Sequence, residues 1–181
     1  EQVLNLADEN DRLRYFTLAQ NSAAFFSFCG ALIFKRSVWN SVGLNESFVG
    51  SCWAHVARFF EILPHGLTVK YLPEPYLDKR SGNDSFLDRG IVNRYRIAIE
   101  GFHTLAESFF GRDSVESFHI RRVMRNEFLP HLLLHAKLEC KLKNLHQDRI
   151  VLDRLANLAY SDPVLISHVY LCIYKFTPLF F

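Results

Sequence analysis

The sequence predicts an α-rich α/β fold, in which a part that contains strands is followed by a long helical region. Two runs with β-strand character, residues 24–34 and 67–72, both lie before residue 86. After residue 86, apolar side chains recur at steps of three and four residues, which is the spacing of one helix face. We therefore expect residues 1–86 to form the first part of the fold and residues 87–181 a C-terminal helical region.

The first forty residues predict one helix, one strand and a second short helix. Residues 1–20 indicate a helix or a loop leading into one, although their leucines have no clean period. Residues 24–34 (AFFSFCGALIF) are continuously apolar and predict a buried strand. Residues 35–42 predict a short helix that Gly43 ends as a C-cap.

The next forty residues predict a helix, a short strand and a loop. Residues 53–63 have apolar side chains at helical spacing, and Pro64 is expected to stop that helix. Residues 67–72 (LTVKYL) predict a strand, and the Pro-, Gly-, Ser- and Asn-rich residues 73–84 a loop.

Four helical segments are predicted in the second half, over residues 88–110, about 114–128, 131–146 and 147–159. Gly111 is expected to end the first of them. Asp113 and Glu116 fit a capping box at the start of the second. The apolar residues 164–181 are barely long enough to span a bilayer, so a membrane-surface or packing helix is expected there instead.

Charge and cysteine content narrow the functional classes. The net charge of +2 is too small to indicate nucleic-acid binding. Residues 86–181 hold 13 Lys and Arg against 10 Asp and Glu, a mildly basic balance that suits an anionic membrane surface. Within this half, the arginine cluster 121, 122 and 125 predicts a solvated face or a phospholipid contact. The four cysteines form no CxxC pair, lie among apolar residues and predict buried thiols rather than a zinc site.

Four segments occur in order between residues 25 and 86: FFSFCGALIFKRSVW (25–39), FVGSCWAHVARFFEIL (48–63), VKYLPEPYL (69–77) and KRSGNDSF (79–86). In this order they resemble family 2 glycosyltransferases of the GT-A fold, of the bacterial surface-polysaccharide type. The resemblance covers residues 20–90 and implies the C-terminal portion of a GT-A mixed sheet followed by helices. It implies transfer of a sugar from a nucleoside-diphosphate sugar to a glycan or lipid-linked acceptor.

The resemblance places the loop of residues 79–86 over the donor diphosphate. Arg80, Asn83 and Ser85 then supply cationic and polar groups to the leaving diphosphate, where negative charge develops. Gly82 allows the backbone to approach closely. The alternative is a solvated loop in which Arg80 pairs with Asp78 or Asp84.

The acceptor side is expected at Ser51, Trp53 and His55. Many family members have a carboxylate base at this place in the motif, whereas residues 50–55 of this chain (GSCWAH) contain no Asp or Glu. His55 is the nearby side chain that titrates close to neutral pH, so we predict it as the catalytic base. Trp53 offers a face on which a sugar ring stacks, and Ser51 a hydroxyl. The alternatives are a helix cap at Ser51, a core Trp53 and a structural His55.

The resemblance also implies a divalent metal, Mn²⁺ or Mg²⁺, held by an Asp-x-Asp motif. No such motif occurs here, so we expect it, with the nucleotide-binding half, to precede residue 1. His131, His135 and His146 lack acidic partners for a metal site, apart from Glu139.

We expect a cytoplasmic glycosyltransferase fragment, peripheral at the inner face of the cell membrane. The alternative is a non-catalytic helical interaction or membrane-surface module, or a truncated inactive homologue.

Overall fold

A computed structural model describes residues 3–74 and 84–178 of the chain. In these ranges, two short strands and eight α-helices follow one another, so the α-rich α/β prediction is confirmed. The elements are β1 (Val3–Asn5), α1 (Glu9–Leu18), α2 (Arg36–Trp39), α3 (Ala54–Ile62), β2 (Thr68–Lys70), α4 (Ile91–Phe110), α5 (Val115–Glu127), α6 (Pro130–Leu142), α7 (His146–Ala159) and α8 (Leu165–Phe176).

The two-stranded sheet brings residues near the start of the chain against residues 68–70. β1 and β2 pair antiparallel, with Leu4 opposite Val69, and the Leu6 N–H extends the ladder by donating to the Leu67 carbonyl at 2.8 Å. No local pattern predicts β1, because three residues are too few to show an alternation of apolar and polar side chains. Asp8 then caps α1, since its side chain accepts the Asp11 N–H at 3.0 Å.

The apolar run 24–34 is not a strand, contrary to the prediction. It overlaps two 3-10 turns, Ser22–Phe25 and Cys29–Ala31, and the backbone is left-handed at Phe26, with a φ of 62°. Phe25 and Phe26 are buried, whereas Ile33 is 87% exposed. A left-handed residue interrupts the extended backbone, so the run divides into a core half and a surface half.

α4 is the central helix of the second half, and α5 and α7 pack against it. Gly111 ends α4 with a φ of 76°, as predicted. The predicted capping box is wrong by one residue: Ser114, not Asp113, caps α5 by accepting the Ser117 N–H at 3.1 Å.

One aromatic cluster connects the two predicted segments. Phe16 packs 5.4 Å from Phe25 and 5.2 Å from Phe110, measured between ring centroids, and Phe25 lies 6.0 Å from Phe102. Phe60 completes the cluster at 5.1 Å from Phe110. These five rings are largely or fully buried, so residues on both sides of position 86 share a hydrophobic core. The division at residue 86 therefore does not separate two hydrophobic cores. The assignment of different functions to residues 1–86 and 87–181 stays a prediction.

The arginine cluster on α5 is structural, contrary to the prediction of a solvated face. Arg125 Nη1 and Arg121 Nε donate to the two carboxylate oxygens of the buried Asp162, at 2.7 and 3.1 Å. Arg122 Nη2 donates to three carbonyls at the end of α1, those of Phe16, Thr17 and Ala19. These side chains tie α5 to the segment before α8 and to α1.

The prediction of buried thiols is correct for Cys140 alone. Cys29, Cys52 and Cys172 are exposed. Their apolar neighbours in sequence lie on turns or on an outward helix face, where neighbours along the chain do not enclose them.

Candidate functional site

A groove runs along one side of α4, from Asn93 to Ser108. It consists of two adjoining cavities, of about 400 and 470 Å³, which share Cys52, Arg96 and Ile97. One wall is the loop before α3, including Ser51 and Trp53, and the other is the 3-10 turn Ser85–Arg89. The groove thus brings the predicted acceptor residues to the end of the predicted donor loop.

Trp53 is held tightly at the groove. Its indole Nε1 donates to the Ile97 carbonyl at 2.8 Å, and its ring centroid lies 4.9 Å from that of Phe102. Gly101 makes this approach possible, because a Cβ at position 101 would lie 2.0 Å from Trp53 Nε1. Trp53 is half-buried and lines the first cavity, so one part of the ring is structural and another part borders the groove.

Ser51 is exposed, and its hydroxyl accepts the Trp53 N–H at 3.2 Å, which orders the start of α3. His55 is half-buried, with Nε2 at 3.3 Å from the Ser27 carbonyl oxygen. It is not among the residues that line the groove. Its ring centroid lies 6.3 Å from that of Trp53. The role of His55 as a base therefore stays a prediction.

The predicted diphosphate-binding residues fall largely outside the described residues. Arg80 and Asn83 lie outside them entirely, and so does the side chain of Ser85. The end of this loop is described from Asp84, whose carboxylate pairs with Arg94 at 3.0 Å and accepts the Phe86 N–H at 3.1 Å. The Arg94 guanidinium also lies over the Phe86 ring, 5.6 Å from its centroid. These contacts anchor the end of the loop to α4.

The motif around α3 has a structural function that the sequence did not reveal. Arg58 donates through all three guanidinium nitrogens to carbonyls at the end of α2: Nε to Trp39 at 2.7 Å, Nη2 to Val42 at 2.8 Å and Nη1 to Gly43 at 3.1 Å. Its guanidinium also lies 4.9 Å from the Trp39 ring centroid. The segment 35–43 is therefore fixed against α3. The expected C-cap at Gly43 is wrong, since α2 ends at Trp39 with Asn40 as its cap.

Two carboxylates line the groove and were missed by the sequence analysis. Glu100 lies in the first cavity and forms an ion pair with Arg154. Asp88 lies in the second cavity beside Arg89 and Asn93, is exposed, and makes no ion pair with any described residue. The signal for Asp88 was its position two residues after the donor-loop motif.

A divalent metal has no set of ligands in the described part of the chain. Within residues 3–74 and 84–178, no three His, Cys, Asp or Glu side chains are grouped for a metal ion. Asp88 and Glu100 do not amount to such a group, so the metal implied by the resemblance is not fitted by these residues.

Comparison with known proteins finds a partial similarity to a curated protein. Over 104 residues, 57% of this chain, it is 26% identical to the abequosyltransferase RfbV of Salmonella typhimurium strain LT2. The aligned region spans 31% of the length of that curated relative. No protein-family model and no solved structure matches the chain. The match supports a relationship between this chain and a glycosyltransferase.

Proposed function

We propose that this chain belongs to a glycosyltransferase that moves a sugar from a nucleoside-diphosphate sugar to a glycan or lipid-linked acceptor during synthesis of a cell-surface polysaccharide such as O-antigen. The observation that carries the proposal is the groove along α4. Ser51 and Trp53 border one end of it and the end of the 79–86 loop borders the other. The partial similarity to an abequosyltransferase supports the same class, and we extend it to family 2 and the GT-A fold from the motifs.

In the proposed reaction, an acceptor hydroxyl oxygen attacks the anomeric carbon of the donor sugar. The bond from that carbon to the diphosphate oxygen breaks, and the nucleoside diphosphate leaves with the electron pair. Arg80, Asn83 and Ser85 are proposed to stabilise the charge on the departing diphosphate. Ser51 and Trp53 are proposed to hold the acceptor sugar.

The acceptor proton must pass to a base during the attack. Two side chains compete for this role. His55 is the base that the sequence analysis predicts, and Asp88 is supported by its place in the groove and its lack of an ion pair among the described residues. A carboxylate base is also the type expected of this enzyme class from the resemblance.

The experiment is a transfer assay on the longest protein that contains this chain. A panel of radiolabelled nucleoside-diphosphate sugars is incubated with membranes that carry lipid-linked glycans, and label in the glycan fraction is counted. Asp88→Asn and His55→Gln are compared, with Asp113→Asn as the matched control because Asp113 is exposed and is not among the groove-lining residues.

Loss of the general base lowers the rate by about 10²–10⁴-fold. We expect that loss in Asp88→Asn if Asp88 is the base, and in His55→Gln if the base is His55. Arg80→Ala should lower turnover by at least tenfold if its guanidinium meets the diphosphate. The proposal is wrong if the wild type transfers no sugar from any donor in the panel.

We further propose that the protein acts in the cytoplasm, peripheral at the inner face of the cell membrane. A lipid-linked acceptor is held in that membrane, so an enzyme that uses it must work at the bilayer surface. The competing function is a non-catalytic membrane-surface module. It is favoured by the apolar outer face of α8 and would be identified by membrane binding without transfer.

A further inference from the structure

The outer face of α8 is apolar and exposed. At 100° per residue, its exposed apolar side chains fall within an arc of about 120°. We call this set the α8 arc: Leu165, Ile166, Val169, Cys172, Ile173 and Phe176. Leu165 is 80% and Phe176 78% exposed, so the arc projects from the body of the protein at both ends of α8. An exposed apolar patch of this kind marks an interaction surface.

Buried contacts on the opposite face fix the helix in this orientation. Arg125 Nη1 donates to the Ser167 hydroxyl at 3.0 Å, and the Tyr174 hydroxyl donates to Asp153 Oδ1 at 2.6 Å. Lys137 Nζ donates to the Tyr174 carbonyl at 3.0 Å. Rotating α8 to bury the arc would break these hydrogen bonds. The apolar face is therefore held outward by the fold.

The length of α8 decides how it can meet a bilayer. Its 12 residues make a helix about 18 Å long, against a hydrocarbon thickness of about 30 Å. No helix in the described ranges has the length and hydropathy to cross a membrane. A helix of this length can enter a bilayer from the side, with α8 parallel to the surface and the arc facing the acyl chains.

Charge selects an anionic lipid surface as the partner. Residues 163–178 contain no Asp or Glu, while Lys175 and His168 lie together beside one edge of the arc, both exposed. The nearest acidic residue in sequence, Asp162, is buried and paired with two arginines. Negative headgroups thus meet a basic edge with no carboxylate on the helix to oppose them.

A second copy of the chain fits this surface less well. A stable interface of standard size engages about 20–30 residues on each partner, and the α8 arc offers six. A lipid surface needs no matching shape and can accept a single narrow helix face.

We propose that the α8 arc is the docking surface for an anionic bilayer, with its apolar side chains at the boundary between headgroups and acyl chains and Lys175 among the lipid phosphates. The inference adds a location for membrane contact to the proposed function. It rests on the geometry of α8 and not on sugar transfer, so each can fail without the other.

The first test is sedimentation with sucrose-loaded vesicles of phosphatidylcholine, with and without 30% phosphatidylglycerol, in the absence of any sugar donor. We expect the double variant Leu165→Gln/Phe176→Gln to bind at least tenfold more weakly than the wild type, because two large apolar side chains lose their burial in lipid. Lys175→Gln should weaken binding about fivefold to the anionic vesicles alone. The matched control is Ile33→Gln/Leu44→Gln, which removes two large exposed apolar side chains, 87% and 66% exposed, from the first half of the chain and should bind like the wild type.

The second test uses the exposed cysteines as reporters. Vesicles should slow maleimide labelling of Cys172, which lies in the arc, and leave Cys29 and Cys52 unaffected. The proposal is overturned if the wild type does not sediment with anionic vesicles, or if all three cysteines respond alike. It is also overturned if light scattering shows a dimer that the Leu165→Gln/Phe176→Gln variant converts to a monomer without any change in vesicle binding.

Discussion

Gly101 is the helix position whose substitution is most informative about the groove. It lies in α4, where a glycine costs about 1 kcal/mol relative to alanine, so Gly101→Ala would ordinarily stabilise the protein. Here the new Cβ would lie 2.0 Å from Trp53 Nε1 and 2.2 Å from Cδ1. The indole must move, although it is held by the Ile97 carbonyl and by Phe102.

The expected magnitude follows from opposing effects. Overpacking costs about 1–3 kcal/mol, and loss of the Trp53–Ile97 hydrogen bond adds about 1 kcal/mol. The gain in helix propensity offsets about 1 kcal/mol of this. We therefore expect Gly101→Ala to lower the free energy of unfolding by about 1–3 kcal/mol, or the melting temperature by about 2–4 °C for each kcal/mol.

The assay is urea unfolding followed by circular dichroism, in two backgrounds. In the wild-type background Gly101→Ala should destabilise. In the Trp53→Ala background the obstructing ring is absent, so the same substitution should be neutral or stabilise by up to about 1 kcal/mol. The reasoning is refuted if Gly101→Ala stabilises the wild type, or if it destabilises both backgrounds equally.

Two further predictions follow from buried or hydrogen-bonded side chains. Arg58→Lys keeps the positive charge but removes the planar guanidinium that donates to three carbonyls. We expect the free energy of unfolding in urea to fall by about 1–3 kcal/mol and the fluorescence spectrum of Trp39 to shift. An unchanged unfolding midpoint would contradict this structural role. Burial, and then Arg121, lower the pKa of His103 from 6.5 to about 4. As the pH falls, the unfolded chain therefore binds a proton at His103 before the folded protein does. The contribution of neutral His103 to the free energy of unfolding is complete above about pH 6.5 and decreases by about 3 kcal/mol as the pH falls to 4. His103→Gln should flatten this loss in pH-dependent urea titrations, and the exposed His135→Gln should not; equal slopes in both variants would exclude His103 as the cause.

The helices of the second half could be predicted because apolar residues recur in each of them at helical spacing. This pattern involves only residues that are close together in the sequence. Gly111 as the end of α4 followed for a similar local reason, since few other residues adopt its positive φ. β1 could not be predicted, because its pairing with β2 joins residues more than sixty positions apart. The cap of α5 was displaced to Ser114 because Asp113 and Ser114 are both good caps and only the backbone path chooses between them.

For the candidate site, the sequence indicated Ser51, Trp53 and His55 from the order of the motifs. The structure places the first two on one groove and directs His55 Nε2 towards the Ser27 carbonyl. It also brings Asp88 into the second cavity, which no local pattern could show because the cavity is formed by the packing of separate segments against α4.

By itself, the sequence determined the α-rich character of the chain, most of its helices and the motif order that indicates sugar transfer, since these depend on residues close together along the chain. The tertiary structure decided which apolar residues are enclosed. Phe25 and Phe26 became core because Phe102 and Phe59 meet them from other segments, while the apolar residues of the α8 arc stayed outside. Hydrophobicity favours burial, but the side of a helix that is buried depends on the partners that distant parts of the chain bring to it.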